Sequence, residues 1–557
     1  MTVNLKAQLA SIFSNRIATG LRHVSITTPS KWAETYRMMP DGLWKFDEFP
    51  WTREMHNSKA EFNVGQKAAQ MGFTETLLNL AFYVIDILGK DVLYVLPTKT
   101  PGATNFSSGR FDPALELSPY LQNLFSDVNN IGHKRAGSAN LYVVGSHSRS
   151  DLKSMPISEL LMDEVAEFVE ANIPLALQRI SGQKADQRQA WLVSTPTFEG
   201  HGISEYYNLS DKAIFVFKCH SCSQHIDLRF PESLVVVGDG IFDPRYKESH
   251  LICHQCKAKI HQEQKKELFR DAKWQSQILN ASWKGFSISQ LYSMRTRPED
   301  IASVIFKAQT NPAEEQELWN SVIGLPHETV GARINDVELD NAIMSGPRNR
   351  NSDPCSGGLV TMGIDVGKWY HYEIARWKVI PNTNPGDINT YAKCEVLKHG
   401  KCKDTNDLAT VMRENRVLQA VIDVAPEYRE ALRFARMFPG QVHLCRFSSA
   451  VGKSINLPKE NNVNEPVIHV DRTTWLDEAL GRFRNGSITL PIDTNMEYRN
   501  HLKTPVKKYE KDGNGNPVAR WVTKDNEQDH YAFARCYNEV ALIFASQVFS
   551  SSNISDY

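Results

Sequence analysis

Gln66-Lys67-Ala68-Ala69-Gln70-Met71-Gly72-Phe73-Thr74-Glu75 lies between an extended-looking Glu61-Phe62-Asn63-Val64 and a long helical run from Thr76 to Ile87. A strand, a tight loop and a helix in that order form the setting of a phosphate-binding loop. The helix N-terminus presents free backbone N–H groups and partial positive charge to an anion. The loop departs from the usual G-x-x-x-x-G-K-[ST] pattern: Phe73 occupies the lysine position, and Lys67 stands where the first glycine would be. From there Lys67 can reach the β- and γ-phosphates of ATP from the other end of the loop. Gly72 allows close backbone approach and Thr74 offers a hydroxyl to Mg²⁺. Alone, the segment reads more readily as an ordinary strand–helix turn.

Two further strand ends change that balance. Ser158-Glu159-Leu160-Leu161-Met162-Asp163-Glu164 is an apolar run closing on two acids, about 90 residues downstream, as expected of a Walker B element. In that role Asp163 holds the Mg²⁺ shell and Glu164 deprotonates the attacking water. A third run, Ala190–Val193, ends at Ser194-Thr195-Pro196, where a hydroxyl can sense the γ-phosphate. From about residue 60 to 200 such runs alternate with helical patterns, the signature of a parallel sheet with crossover helices and ligands at the strand ends.

The 557 residues are 41% apolar and 23% charged, an ordinary globular composition that allows about three to four domains. With 63 Lys plus Arg against 64 Asp plus Glu, the chain is not a histone-like packer, although local basic grooves for DNA remain open. Nine cysteines are too few, and odd in number, for a disulfide scaffold. The first twenty residues lack the apolar core of a secretory signal, and no window reaches about 18 uncharged apolar residues. A soluble intracellular protein with no membrane contact is expected.

Cys219-x-x-Cys222 and Cys253-x-x-Cys256, 30 residues apart, match the paired knuckles of a tetrahedral structural Zn²⁺. His220, His225, His250 and His254 crowd the same region; one can stand in for a cysteine ligand, but they read more readily as exposed or touching DNA. Ser345–Gly358 reads as a linker. After it, Leu359–Val366 is an apolar strand bearing Asp365, and Tyr370–Val379 reads as its antiparallel partner. Leu418–Asp423 is a second strand ending in an acid, and Asp529 opens a final helix, with Glu527 two residues away. Such a hairpin opens an RNase H-like fold. Asp365, Asp423 and Asp529 can there hold two Mg²⁺ or Mn²⁺ ions about 4 Å apart for phosphodiester cleavage. Lys503, Lys507, Lys508, Lys511 and Arg520, with Tyr509 among them, form either a DNA-contacting loop or a solvated charged one.

In combination these motifs resemble the large subunit of tailed-phage terminases, specifically the lambda-like GpA group, from about Phe49 to Tyr537. Phe49-Pro50-Trp51-Thr52-Arg53-Glu54-Met55 is similar to that group's adenine-side motif, which implies nucleotide contact by Arg53. Lys67-x-Ala69-Gln70-x-Gly72-x-Thr74-Glu75 resembles its deviant phosphate loop, including the early lysine. Leu96-Pro97-Thr98 and Asp163-Glu164-Val165-x-Glu167-Phe168 follow in order. At Gln70 the chain departs from the lambda loop, which carries an arginine there.

The resemblance implies an α/β chain: a RecA-like P-loop ATPase domain with a zinc-ribbon insert, then an RNase H-like nuclease domain. The expected layout is an N-terminal tail and helix over 1–45, the ATPase domain over 46–214, and the zinc insert over 215–262. A helical remainder of the ATPase region then fills 263–344, the linker 345–358, the nuclease domain 359–549 and a tail 550–557. It further implies ATP-driven packaging of double-stranded DNA in the host cytoplasm. The implied partners are a terminase small subunit, the procapsid portal and further copies of the chain in a ring. A repair helicase–nuclease shares both centres, and a non-catalytic DNA-binding scaffold would show no ATP turnover.

Overall fold

The computed structural model describes residues 26–126, 128–153, 156–329, 331–346, 358–379, 388–448, 467–511, 516–523 and 527–552. The amphipathic helix expected around Leu5–Phe13 and most of the expected linker lie outside the described residues. The chain divides after Thr329 into two compact α/β units.

The first unit is built on seven parallel strands. These are β1 (Phe62–Lys67), β2 (Val92–Leu96), β3 (Ala139–Gly145), β4 (Glu159–Asp163), β5 (Gln189–Ser194), β6 (Ala213–Lys218) and β7 (Lys284–Ile288). Their spatial order is β6–β7–β1–β5–β4–β2–β3. Antiparallel strands extend both edges to eleven among the described residues. β2, β4 and most of β1 are buried on both faces, as near-continuous apolar runs require in a parallel sheet. Phe82, Tyr94, Trp191 and Phe286 pack one face, and Val64, Val95, Met162 and Leu192 the other.

Between the short helix α1 (Thr52–His56) and β2 lies α2 (Phe73–Asp86), which follows β1 directly. Gly72 caps α2 at φ +80°, a conformation glycine adopts at little cost. Residues Thr76 to Ile85 of α2 are buried on all sides, consistent with a helix apolar around its whole girth.

The stretch 263–344, expected to be helical, contains β7 in the middle of the sheet beside β1, paired from Lys284↔Asn63 to Ile288↔Lys67. Lys284-Gly285-Phe286-Ser287-Ile288 is short and carries a glycine and a serine. Its strand character comes from β1, more than 200 residues away in sequence, and from β6, more than 70 away, and local pattern cannot report that. The expected helical remainder also divides: α3 (Asp336–Met344) belongs to the second unit, where Ile334, Leu339 and Ala342 enter its core.

The second unit carries β8 (Leu359–Val366), β9 (Tyr370–Lys378), β10 (Lys393–Cys402), β11 (Gln419–Asp423), β12 (Val442–Phe447), β13 (Val467–Val470) and β14 (Ile488–Thr489). They lie in the order β13–β12–β11–β8–β9–β10–β14. The β8–β9–β10 meander is antiparallel, and β11, β12 and β13 extend it in parallel from β8. Among its helices are α4 (Arg472–Asn485), α5 (Met496–Lys503) and α6 (His530–Ser552), and the helical segments Thr405–Glu414 and Tyr428–Met437 flank β11 in sequence. A hairpin of Val506–Lys511 and Pro517–Val522 stands apart from the main sheet.

Candidate nucleotide and metal sites

Gln66 and Lys67 are the last residues of β1 rather than part of a free loop. Lys67 is buried, and its Nζ donates to Glu164 Oε1 at 3.1 Å. Glu164 follows the last residue of β4 with φ +60°, an uncommon backbone state for a residue with a Cβ. Ser194, at the end of the intervening strand β5, donates from Oγ to Glu164 Oε2 at 3.4 Å and accepts from the Ala166 N–H. Sheet order therefore brings Lys67, Ser194, Asp163 and Glu164 together at the C-terminal ends of three adjacent strands.

Asp163 is fully buried, and Tyr94 donates its hydroxyl to Oδ2 at 2.9 Å. Burial and the neighbouring Glu164 push the Asp163 carboxyl up to about 6, while Lys67 and the Thr74 hydroxyl oppose that rise. The loop Ala68–Gly72 is pinned from behind. Ala68 N–H donates to Ile288 O and Ala69 N–H to Ser321 O, while Gln290 donates to Ala69 O. Trp51 Nε1 donates to Met71 O at 2.9 Å, and the Phe49 ring covers Gly72. Gln70 is exposed with φ +60°. Phe73 points into the core at 1% exposure, and Thr74 is half-buried. Arg53 does not turn into this site; its partners among the described residues are Glu34 at 2.5 Å and the Phe46 ring.

Past β6, Cys219 and Cys222 meet Cys253 and Cys256. All four Sγ atoms lie within 4.8 Å of one another, with Cys219–Cys256 at 3.8 Å and Cys222–Cys253 at 4.0 Å. The two knuckles repeat one turn. Ser223 N–H donates to Cys219 O and Lys257 N–H to Cys253 O, and Ser223 and Lys257 both take positive φ. The nearby histidines stay out of the cluster: His250 Nδ1 bonds Glu248 O and His254 Nδ1 bonds Asp227 O.

In the second unit Asp365, near the end of β8, is 5% exposed and accepts from His530 Nδ1 at 2.7 Å. Asp423 ends β11 and Asp529 directly precedes α6. Burial raises the carboxyl of Asp365, with the Asp529 charge adding to it and the His530 bond opposing. Burial, together with the Asp365 charge, takes Asp423 to about 6. Burial likewise raises Asp529, whereas Glu527 is exposed. The tight group is not the three acids: Asp365, His371 and His530 bring one donor atom each within 4.8 Å of one another. Asp423 and Asp529 lie outside this tight group, near enough for their charges to interact with Asp365. Burial and neighbouring rings hold His371 down to about 3 and His501 to about 4. Lys503 and Lys507 of the expected basic loop are already paired, with Asp336 at 2.9 Å and Asp477 at 2.7 Å.

Residues 39–274 match the family model described as phage terminase large subunit gpA, ATPase domain. Over that span the chain is similar to the gpA ATPase domain. No curated protein matches the chain. Among solved structures it is similar to the HK97 bacteriophage large terminase, at 9% identity and TM-score 0.44, covering 94% of this chain and 99% of that one. A large terminase from a thermophilic bacteriophage is similar at 9% identity and TM-score 0.28, covering 87% and 94%. The large terminase nuclease of thermophilic phage G20c with bound magnesium is similar at 11% identity and TM-score 0.22, covering 36% and 94%. Among the described residues no helix is long and apolar enough to cross a membrane.

The matched span thus contains the whole Lys67–Asp163–Glu164 cluster and the four cysteines from Cys219 to Cys256. Sequence reasoning missed Tyr94, whose hydroxyl holds Asp163 from the neighbouring strand β2. It also missed the histidines of the second unit. The adjacency of His530 to Asp529 was a usable signal there. His371 is found only by fixing the hairpin register, which sets it opposite Asp365.

Proposed function

We propose that this chain is the large subunit of a viral DNA-packaging terminase. ATP hydrolysis in the first unit would drive double-stranded DNA into the procapsid, and a metal-dependent nuclease in the second would cut concatemeric DNA. The carrying observation is the pairing of Lys67 with Glu164 beside the buried Asp163. The β7–β1–β5–β4–β2 strand order supports a RecA-like reading of the ATPase domain, and the β8–β9–β10 meander with β11 beside β8 supports an RNase H-like reading of the nuclease.

In this reading the α2 N-terminus and the loop N–H groups bind the phosphates of ATP. Lys67 neutralises the β- and γ-oxygens. The ion pair seen here keeps Glu164 from acting as a base until a γ-phosphate competes for Lys67. Glu164, steadied by Ser194, then takes the proton of the attacking water. Asp163 and Thr74 fit a Mg²⁺ shell, since Asp163 Oδ1 is buried without a hydrogen-bond partner among the described residues. Bound there, Mg²⁺ supplies charge neutralisation at the phosphates.

Four clustered thiols with no histidine among them fit a closed tetrahedral Zn²⁺ site of structural type. In the second unit Asp365, Asp423 and Asp529 would hold the divalent ions that activate water and stabilise the leaving 3′-oxygen. The same reading assigns a small subunit, the portal and a ring of copies as partners, in the host cytoplasm.

The test is a pair of assays on the purified full chain. Lys67→Ala or Glu164→Gln should lower DNA-stimulated ATP turnover by about 10²–10⁴-fold while metal-dependent plasmid cleavage persists. Asp365→Ala should do the reverse. Turnover that survives Lys67→Ala, or cleavage that survives Asp365→Ala, defeats the corresponding half of the proposal.

A further inference from the structure

Ala69, inside the phosphate loop, is held at both of its backbone polar groups by distant parts of the first unit. Its N–H donates to Ser321 O at 2.7 Å, and its carbonyl accepts from Gln290 Nε2 at 3.1 Å. Each of these partners leans in turn on the cysteine insert. Gln290 opens the tight turn Gln290–Tyr292, closed by Tyr292 N–H donating to Ser289 O. The buried Tyr292 hydroxyl donates to Phe215 O on β6 at 2.6 Å and accepts from the Leu228 N–H at 2.7 Å. Ser321 belongs to the helical turn Leu318–Ile323, whose Trp319 ring meets the Phe230 ring nearly edge-on at 5.2 Å. Leu228 and Phe230 both lie between the two cysteine knuckles. Just past the second knuckle, Gln262 Nε2 and Lys265 Nζ both donate to Ser293 O, at 3.1 and 2.8 Å.

The insert has little of its own to keep it ordered. Its strands Leu234–Val235, His250–Ile252 and Lys259–Ile260 are two or three residues long, and pieces of that length are marginal alone. Four clustered thiols supply order when a cation draws them together, and metal binding to such a site is folding energy. If the insert loosens, Leu228 N–H leaves the Tyr292 hydroxyl and Phe230 leaves Trp319, so both supports of Ala69 slacken.

We propose that Tyr292 and Trp319 are positioning residues that tie the cysteine insert to the phosphate loop, so that Zn²⁺ at the four thiols tightens nucleotide binding. The inference rests on the nucleotide and zinc readings above and gives the insert a part in the ATPase cycle beyond holding itself together. Because the coupling is a free energy shared by two sites, it runs both ways, and nucleotide tightens Zn²⁺ by the same factor.

The experiment uses the full chain, Zn²⁺-loaded or stripped by a chelator, with ribose-labelled ADP and Mg²⁺ as the probe read by fluorescence anisotropy. Removing Zn²⁺ should weaken ADP by about fivefold or more, and saturating ADP should tighten Zn²⁺ equally in competition with a chromophoric chelator. Tyr292→Phe should bind both ligands but show a smaller ratio, and its double variant with Trp319→Leu a ratio of about one. A merely structural role for these side chains would lower stability and leave the ratio as it was. A further measurement needs no stripped protein: with Zn²⁺ bound, amide exchange in the Ala68–Gly72 peptide should quicken about fivefold in Tyr292→Phe, as losing one buried hydrogen bond predicts.

Equal ADP affinity with and without Zn²⁺ overturns this inference and leaves the nucleotide reading standing. So does an undiminished ratio in the double variant, or unchanged exchange of the loop in Tyr292→Phe. A chain that binds no ADP in either form defeats the nucleotide reading, and the inference falls with it.

Discussion

Phe73 stands where a phosphate-binding loop ordinarily carries its lysine, and its surroundings explain the exchange. The ring is 1% exposed and packs against the bare Cα of Gly65, where an added Cβ would come within 2.7 Å of Phe73 Cε2. The first position of α2 has therefore become a core position, and the cation has moved to the strand side at Lys67. Phe73→Ala should cost about 3–5 kcal/mol of first-unit stability, measured by urea unfolding. Combining Phe73→Lys with Lys67→Ala should not restore ATP turnover, because a lysine there would be buried in the apolar core rather than aimed at phosphate. Recovered turnover in that double variant would show that the site tolerates either arrangement. The early lysine was legible in the sequence. The inward turn of Phe73 was not, because it depends on a glycine eight residues earlier and on the packing of β1 against α2.

Among the elements, α6 and β8 together form the spine of the second unit. A Cβ on Gly363 would lie 2.0 Å from Ala534 O and 2.4 Å from Asn538 N, so α6 rests directly on the strand that carries Asp365. Around this contact Glu373, Arg535, Glu539 and Arg482 form a fully buried ion-paired group. Thr361 and Asn538 add a hydrogen bond from strand to helix. Gly363→Ala should destabilise this unit by at least about 1–3 kcal/mol, because backbone cannot give way as a flexible side chain can. A scanning calorimetry trace should show the loss in the transition of the second unit, with metal-dependent cleavage falling alongside. An unchanged trace would mean that α6 can lift from β8 at little cost. The strand Leu359–Val366 could be read from its apolar run alone. The meaning of its glycine could not, since a glycine within a strand reads simply as a weak spot until the helix above it is known.

At the scale of the whole molecule, His56 is one identifiable source of acid sensitivity in the first unit. It is buried, bonds Thr52 O through Nδ1 at 2.7 Å and meets Asn79 through Nε2 at 3.1 Å, tying α1 to α2. Burial lowers it from 6.5 to about 4. A folded value below the unfolded one means that its stabilisation is complete above about pH 6.5. It is lost as pH falls towards 4, by about 3 kcal/mol in all. Asp163, raised to about 6, acts in the opposite sense and favours the fold at low pH. Denaturant unfolding between pH 7.5 and 4 should therefore show a shallower acid slope in His56→Gln than in the parent chain. Equal slopes would remove His56 as a source of acid sensitivity.

The amino-acid sequence by itself determined which chemical groups this protein has and the order in which they come. Lys67, the Asp163-Glu164 pair, two cysteine knuckles and the acids at Asp365 and Asp423 each sit in a local pattern of strand end or tight turn. Such patterns need only neighbours a few residues away. Tertiary structure alone decided that Lys284–Ile288 pairs beside β1 and its loop, that Arg53 turns to Glu34, that α3 joins the second unit, and that His371 and His530 gather at Asp365. Each of these depends on segments far apart in the chain, and hydrophobic burial sets which strands become neighbours only when the whole sheet forms. The chemistry at the strand ends then follows from that order.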